Sequence, residues 1–480
     1  MLFNSFEFIF IFLPITWFIY FYLNGLKLTE ISKAFLVFAS LFFYSWWNVK
    51  YLPLILISML FNYSIGKTLS VKRSKAILTI GIIANLALLG YFKYADFFIE
   101  NLKIITKSNI HLLHLALPLA ISFFTFQQIS YLVDSYRHET KEYDFLNYAL
   151  FVTFFPQLIA GPIVHHKEMM PQFAKTRNKV KSYNNVAKGL FIFSMGLFKK
   201  VVIADTFAIW ATNGFDVSKT LNFAEAWITS LSYTLQLYFD FSGYTDMAIG
   251  AALLFNIKLP INFDSPYKAT SIQDFWRRWH ITLSRFLKDY IYIPLGGNRK
   301  GNFRTYSNLM ITFLLGGLWH GAGWTFVFWG FLHGVALVIH RVWKRLGFSM
   351  NKILAWFITF NFINIAWVFF RAKSWDDAIK VLSGMFSLNN IMLPGSLESK
   401  LSSLKHYGVT FGYWLNNIDG TTKTTIWVFL GLFVIVYFKN SNEYSNSFVL
   451  NKKTALIAAL MFAFSILSLG KVSEFLYFNF

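Results

Sequence analysis

Two histidines in this chain lie where an ionisable side chain is costly to place. His320 is part of the sequence Leu-Gly-Gly-Leu-Trp-His-Gly at residues 315–321, among glycines and bulky apolar residues. Ionisable groups at membrane depth are rare and usually face an internal cavity with a function. Because imidazole can take and return a proton near neutral pH, we predict that His320 is catalytic and that Trp319 supports the site. The alternative is a histidine that only hydrogen-bonds to a neighbouring helix.

The second histidine, His280, ends the sequence Trp-Arg-Arg-Trp-His at residues 276–280. The interval 267–305 carries eight basic side chains against two acidic ones, and aromatic residues interleave with them at mostly helical spacing. This pattern is typical of an amphipathic helix at the membrane interface, followed by a turn at residues 294–298. His280 either orients an acyl group or polarises a carbonyl beside His320, or lies on a surface connector without chemistry.

Two carboxylates, Asp240 and Asp246, fall within the apolar run 223–256. Carboxylates at that depth need partners. We expect them to support the site, either by pairing with Arg277 or Arg278 or by acting catalytically.

The run 223–256 is also too long for one simple span. We expect it to be tilted, broken near Gly243, or divided into two segments. His333, thirteen residues after His320, is interpreted as structural.

Several other kinds of chemistry find no support in the sequence. The chain has no cysteine, so it has no disulfide, thiolate metal ligand or cysteine nucleophile. His165 and His166 are adjacent, no HExxH is present, and no carboxylate lies at ligand spacing from His320, so we expect no metal. We also find no P-loop, dinucleotide fingerprint or GxSxG motif.

The composition indicates a protein of the lipid bilayer. Of 480 residues, 56% are hydrophobic and only 14% are charged, against about 25% charged in an ordinary soluble domain. The first apolar run lacks the basic region and cleavage site of a signal peptide, so we interpret it as a retained span. Roughly a dozen spans are predicted, near residues 6–23, 33–48, 51–66, 76–94, 112–135, 146–164, 187–212, 223–256, 306–320, 322–341, 353–371, 424–439 and 454–470.

The formal net charge is +21. The basic residues lie in short loops between apolar runs, which is typical of cytosolic loops in a membrane protein and argues against nucleic-acid binding. A basic cytosolic mouth would also attract an anionic substrate. Basic clusters follow both the third and the sixth run, and both are expected on the cytosolic side. Three full crossings between them would put the clusters on opposite sides of the membrane. We therefore expect one of these runs not to cross, with the segment at 156–162 as the re-entrant piece. The polar loop 392–422 is expected outside the bilayer.

Several segments, in order along the chain, resemble the membrane-bound O-acyltransferase (MBOAT) family, of the bacterial alginate or peptidoglycan O-acetylation type. The aromatic ending at residues 475–480 is also similar to that of the family. The segments are Phe-Pro-Gln-Leu-Ile-Ala-Gly-Pro-Ile at 155–163, Tyr-Phe-Asp-Phe-Ser-Gly-Tyr-Thr-Asp-Met-Ala at 238–248, Phe-Trp-Arg-Arg-Trp-His-Ile-Thr-Leu-Ser at 275–284, Tyr-Ile-Pro-Leu-Gly-Gly-Asn-Arg at 292–299 and Gly-Leu-Trp-His-Gly at 317–321.

The resemblance implies an all-α, polytopic helical bundle with re-entrant and interfacial helices around a central funnel. It implies one domain over residues 1–480, with a motif core at about 150–345 and peripheral spans at 1–110 and 350–480. His320 matches the family's central catalytic histidine and His280 its second histidine. Whether His320 acts as a base or carries the acetyl group stays open.

The same resemblance implies an O-acetyltransferase of the bacterial inner membrane. The expected donor is acetyl-CoA, with no tightly bound cofactor, entering past Arg277, Arg278 and Arg299. The expected partners are a periplasmic acetyltransferase of the SGNH type, an envelope or exported polysaccharide, and the bilayer. D-Alanyl transfer to teichoic acid is the alternative within the family. A polysaccharide exporter or proton-coupled transporter is the alternative of another class.

Overall fold

The computed structural model describes residues 1–140, 144–159, 161–470 and 476, and nearly all of its regular structure is helical. The predicted all-α class is therefore confirmed, with one small exception. Strands β1 (Met392–Pro394) and β2 (Thr410–Gly412) form a short parallel pair within the polar loop at 392–422. The aromatic ending of the chain and Ala160 lie outside the described residues, apart from Leu476.

Five helices among the described residues are long and apolar enough to cross a membrane. Each coincides with a span predicted from the sequence, and many of their large apolar side chains face outward. The chain is therefore a helical membrane protein. The five are Glu7–Gly25, Val49–Val71, Lys75–Thr106, Trp324–Arg345 and Lys352–Arg371.

The N-terminal helices form one side of the bundle. The fourth and fifth helices join through a π-helical turn, Gly90–Tyr94. Because this turn contains one residue more than an α-helical turn, the side chains after it point in a different direction around the helix axis. The helices are α1 (Leu13–Gly25), α2 (Thr29–Ser45), α3 (Leu52–Val71), α4 (Lys75–Leu89) and α5 (Ala95–Thr106).

The middle of the chain supplies the buried centre. The helices are α6 (Ile121–Tyr136), α7 (Phe145–Thr153), α8 (Phe155–Leu158), α9 (His166–Ala174), α10 (Tyr183–Phe198), α11 (Asp205–Thr212) and α12 (Phe223–Leu254). The segment predicted to be re-entrant therefore contains the four-residue helix α8, which is buried throughout.

The helix α12 is continuous over 32 residues, so the predicted break near Gly243 is wrong. Gly243 serves helix packing instead. A Cβ there would lie 2.7 Å from the carbonyl oxygen of Gly196, and one at Gly250 would lie 2.7 Å from that of Gly189. Glycines spaced seven apart on both helices thus let the backbones of α10 and α12 touch. The length of α12 is accommodated because nearly all of it is buried in protein.

The C-terminal half carries the site. Its helices are α13 (Ile272–Arg278), α14 (Ile281–Leu287), α15 (Gly301–His320), α16 (Trp324–Arg345), α17 (Lys352–Arg371), α18 (Trp375–Phe386), α19 (Glu398–Leu401), α20 (Thr422–Tyr437), α21 (Ser441–Asn446) and α22 (Lys452–Ser468).

The single amphipathic helix predicted within residues 267–305 is not observed. The segment instead forms α13, α14 and a π-helical turn, Lys288–Tyr292. Trp276, Trp279 and Phe286 are buried, so these aromatic rings face the protein and not the headgroup layer. The turn predicted at residues 294–298 is confirmed.

Candidate functional site

His320 is the last residue of α15, at its junction with α16. The two helices approach closely because both carry glycine at the contact. A Cβ on Gly317 would lie 3.1 Å from the Cα of Gly330, and one on Gly330 would lie 3.2 Å from the Cα of Gly317. These glycines therefore fix the height of His320 against α16.

The imidazole of His320 is enclosed by aromatic rings. Its centroid lies 5.2 Å from the Trp329 ring, 5.0 Å from Phe370 and 4.8 Å from Trp319, with every pair near edge-to-face. The residue is only 4% exposed. Its Nδ1 is buried without a hydrogen-bond partner among the described residues. A buried nitrogen without a partner is costly and commonly marks a catalytic role or an unseen partner.

The sequence prediction that His280 lies beside His320 agrees with the structure. The centroids of the two imidazoles are 6.5 Å apart. His280 does not lie inside a helix as expected. It separates α13 from α14 and takes a left-handed backbone conformation, with φ +43°. This conformation is uncommon outside glycine and turns the chain so that the ring points inward.

Asn262 sets the tautomer of His280. The Nδ1 atom of His280 lies 3.1 Å from Oδ1 of Asn262, and the same oxygen accepts from the backbone N–H and hydroxyl of Thr282 at 3.2 and 2.9 Å. Because a backbone N–H can only donate, this amide atom is an oxygen. His280 therefore carries its proton on Nδ1, and Nε2 keeps the lone pair that a base needs.

Asn262 is not predicted from the sequence. It is an uncharged amide in a loop, eighteen positions before His280, and no motif marks it as a functional residue. His333, by contrast, was noted and interpreted as structural. Its Nδ1 accepts a hydrogen bond of 3.1 Å from the indole N–H of Trp276, which ties α16 to α13.

Trp319 packs the site against the N-terminal helices. Its ring stacks on Phe126 of α6 at 5.1 Å and lies edge-on to Phe123 at 5.7 Å. The indole is 5% exposed. Trp319 thus holds α15 against α6 immediately before His320.

The predicted pairing of Asp240 and Asp246 with Arg277 or Arg278 is wrong. Asp240 Oδ1 lies 2.6 Å from Nζ of Lys200, and Asp246 Oδ2 lies 2.7 Å from Nζ of Lys199. Both lysines belong to the π-helical turn Lys199–Ala204 after α10. The two aspartates thus fasten α12 to that turn, and Arg278 pairs with Asp274 at 2.9 Å.

A cavity of about 670 Å³ opens beside the middle of α15, between this helix and the C-terminal half of α16. Its volume lies within the range of small-molecule sites. Arg277 and Arg299, two of the three predicted entrance arginines, line it, but Arg278 does not. The basic lining residues, called here the basic cavity set, are Arg277, Lys288, Arg299, Arg341 and Lys344.

The basic cavity has the electrostatics of an anion site. No Asp or Glu is present among its described lining residues. The Tyr292 hydroxyl in its wall is a neutral donor at pH 7, and partial burial raises its pKa further, against the opposing effect of Arg341. Cations and neutral donors around one opening favour phosphate groups.

A second cavity, of about 300 Å³, lies at the C-terminal end of α15. It is lined by the residues just past His320, namely Gly321, Ala322 and Phe326, and by Lys93 and Asp96 of the N-terminal helices. His320 lines neither cavity and is separated from the basic cavity by Trp276, Phe313 and Trp329. One opening therefore lies beside the middle of α15 and the other just past His320 at its C-terminal end.

The described residues contain no group of three or more His, Asp or Glu side chains that could hold a metal ion.

Comparison with known proteins gives a consistent result. The sequence profile of the membrane-bound O-acyltransferase family matches residues 41–374. The chain is 51% identical to a peptidoglycan O-acetyltransferase of Helicobacter pylori, over 100% of this chain and 98% of that protein. It is 42% identical to a probable alginate O-acetylase of Pseudomonas aeruginosa, over 84% of this chain and 78% of that protein.

A more distant similarity links the chain to D-alanine transfer. A teichoic acid D-alanyltransferase of Streptococcus thermophilus is 28% identical over 52% of this chain and 68% of that protein. This match is lower in identity and covers less of the chain than the O-acetyltransferase matches.

Proposed function

This chain belongs to the membrane-bound O-acyltransferase family, and from that membership and the geometry around His320 we propose that it transfers acetyl groups for peptidoglycan O-acetylation. The single observation that carries the proposal is the pair of imidazoles, 6.5 Å apart, between one cavity beside the middle of α15 and another at its C-terminal end.

The choice of peptidoglycan rests on the extent of the similarity to the Helicobacter pylori protein, which spans both chains nearly end to end. The similarity to the alginate O-acetylases is lower and covers less of the chain, so an exported polysaccharide is the second candidate acceptor. The D-alanyl alternative is less well supported, because that match covers about half of the chain.

The proposed donor is acetyl-CoA, which binds with its phosphates in the basic cavity. Five cationic side chains and no carboxylate around this opening support a polyanionic donor. The acetyl thioester would then reach toward His320 past Trp276 and Phe313. Both rings are buried between the cavity and the histidine, so donor entry requires these aromatic side chains to move.

The proposed reaction is an acyl transfer. An acceptor hydroxyl oxygen attacks the thioester carbonyl carbon, the new C–O bond forms, and the C–S bond breaks. His320 takes the hydroxyl proton as general base and returns it to the departing sulfur, which leaves as coenzyme A thiol. His280, with its proton held on Nδ1 by Asn262, is proposed to orient the reacting groups beside His320.

The reaction is proposed to link the two membrane faces. The basic cavity would open to the cytosol, in keeping with the positive-inside rule, and the cavity lined by Lys93 and Gly321 would open to the far side. We further propose residence in the bacterial inner membrane, with roughly a dozen spans in one domain around the central site. The partner that receives the acetyl group is proposed to be a periplasmic SGNH-type acetyltransferase.

The test is complementation in cells that lack this chain. Muropeptides from cells carrying the native protein are expected to contain O-acetylated sugars, and cells carrying His320→Ala at equal membrane abundance are expected to lack them. Acetyl groups found on an exported polysaccharide instead would favour the second acceptor. Normal muropeptide acetylation with His320→Ala would overturn the proposal.

A further inference from the structure

The C-terminal end of α15 is held by two residues from the π-helical turn Gly90–Tyr94. The ammonium of Lys93 donates to the carbonyl oxygens of Trp319 at 2.6 Å and of His320 at 3.1 Å. The hydroxyl of Tyr94 donates to the carbonyl oxygen of Leu318 at 2.7 Å. Three successive carbonyls, the last belonging to His320, thus receive donors from another helix.

These contacts complete the hydrogen bonding of the helix end. The last four carbonyls of an α-helix have no donor within the helix. Here the carbonyl of Gly317 accepts from the N–H of Gly321 at 3.4 Å, and the other three accept from Lys93 and Tyr94. The ammonium also lies at the negative end of the α15 dipole, where a cation is stabilising.

The donors of Lys93 are all engaged. An ammonium has three N–H donors, and Lys93 lies within hydrogen-bond distance of three oxygens, the third being Ser122 Oγ at 3.4 Å. Lys93 lines the smaller cavity, yet its hydrogen bonds point at the backbone of α15. This arrangement suits a Lys93 that fixes the backbone of α15 by hydrogen bonds better than one that binds an incoming substrate.

We propose that Lys93 and Tyr94 are positioning residues, which hold the last turn of α15 and thereby set the place of the His320 imidazole. The inference rests on the proposed function of His320. The π-helical turn supports it, because the turn carries both donors to the one helix end that bears the histidine. Displacing a catalytic group by about 1 Å can lower the reaction rate roughly 10²-fold. Hydrogen bonds that hold the main chain of His320 are therefore expected to affect the rate.

The test compares variants in proteoliposomes with acetyl-CoA as the donor. Lys93→Met, which keeps the length but removes the ammonium, is expected to lower kcat roughly 100-fold while KM for acetyl-CoA stays within about twofold. Lys93→Arg keeps the charge and the donors, and its kcat is expected to be at least about tenfold higher than that of Lys93→Met. Lys75→Met, an exposed lysine on the same long helix, is the matched control and is expected to leave kcat unchanged.

Tyr94→Phe provides a milder variant, should Lys93→Met fail to insert. It removes only the hydroxyl that donates to Leu318, and it is expected to lower kcat by about two- to tenfold. Tyr22→Phe, at an exposed tyrosine of α1, is its control. Wild-type kcat in both Lys93→Met and Tyr94→Phe would overturn the positioning role.

Amide hydrogen exchange separates this inference from the proposed function. The amides of the last turn of α15 are expected to exchange faster in Lys93→Met than in Lys75→Met, because the helix end loses its tie. If the native protein does not cleave acetyl-CoA, the proposed function fails, and the exchange result alone decides whether the tie exists. Equal exchange in the two variants would overturn it.

Discussion

At the scale of single residues, the two histidines proposed to carry the chemistry were identifiable from their surroundings in the sequence. His320 occurs among glycines and apolar residues, His280 follows a pair of arginines flanked by tryptophans, and the structure brings their rings to 6.5 Å. Asn262 was not predictable in the same way, because an amide in a loop carries no charge or motif. The pairing of Asp240 was predicted wrongly, because its lysine partner comes from a helix forty residues earlier.

The role of Asn262 leads to a prediction at this scale. Asn262→Ala removes the oxygen that holds the Nδ1 proton of His280, so both tautomers and other ring orientations become accessible. We expect kcat for acetyl transfer to fall by roughly 10²-fold, within the range typical of general acid–base groups. Steady-state kinetics in proteoliposomes measure it.

Asn262→Asp keeps an acceptor oxygen in the same place and serves as the comparison. It is expected to retain clearly more activity than Asn262→Ala. Equal loss in the two variants, or wild-type kcat in Asn262→Ala, would show that His280 does not depend on this oxygen.

At the scale of helices, the apolar runs in the sequence predicted the positions of helices well where a helix faces lipid and less well where it is buried. The five long apolar helices coincide with predicted spans because lipid requires an unbroken apolar length. The segment 267–305 was predicted as one helix because nothing in its sequence marks the break. His280 makes that break with a positive φ and without glycine or proline. Gly243, which reads as a break, is instead a contact between α10 and α12.

The glycine contact leads to a prediction for stability. Gly243→Ala places a methyl group 2.7 Å from the carbonyl oxygen of Gly196, which forces the two helices apart. Such overpacking destabilises by about 1–3 kcal/mol. The apparent Tm of the purified protein in detergent is expected to fall.

Gly25→Ala at the end of α1 is the matched control, since a Cβ there meets no atom within 4 Å. Its apparent Tm is expected to stay at the native value. Equal Tm values for Gly243→Ala and the native protein would contradict the close approach of α10 and α12.

At the scale of the whole molecule, the helical bundle places a basic opening beside the middle of α15 and a smaller opening at its C-terminal end. The excess of positive charge predicts an anionic partner, and two of the three predicted entrance arginines, Arg277 and Arg299, line one opening. Arg341 and Lys344 were not anticipated, because the end of α16 meets that opening only in the folded bundle. Tertiary structure, and not sequence spacing, decides which cations share a cavity.

Charge reversal in the basic cavity provides the prediction at this scale. The double variant Arg277→Glu and Arg299→Glu is expected to raise KM for acetyl-CoA by roughly tenfold or more, with little change in kcat, because repulsion acts on donor binding. The difference from the native protein is expected to shrink at high salt. Kinetics at two ionic strengths measure both effects.

Arg304→Glu is the control, because this exposed arginine lies in the first turn of α15 but does not line the basic cavity. It is expected to leave KM close to the native value. An equal rise in KM for the control and the double variant would point to a general effect of net charge instead of a donor site.

The central claim is that the His320 imidazole carries acetyl transfer from a thioester, and cleavage of acetyl-CoA by purified protein in proteoliposomes tests it most directly. The native protein is expected to release coenzyme A thiol when an acceptor is supplied. His320→Ala, inserted equally well and with the same Tm, is expected to lose at least about 10²-fold of that rate. Thiol release by His320→Ala at the native rate would contradict the account.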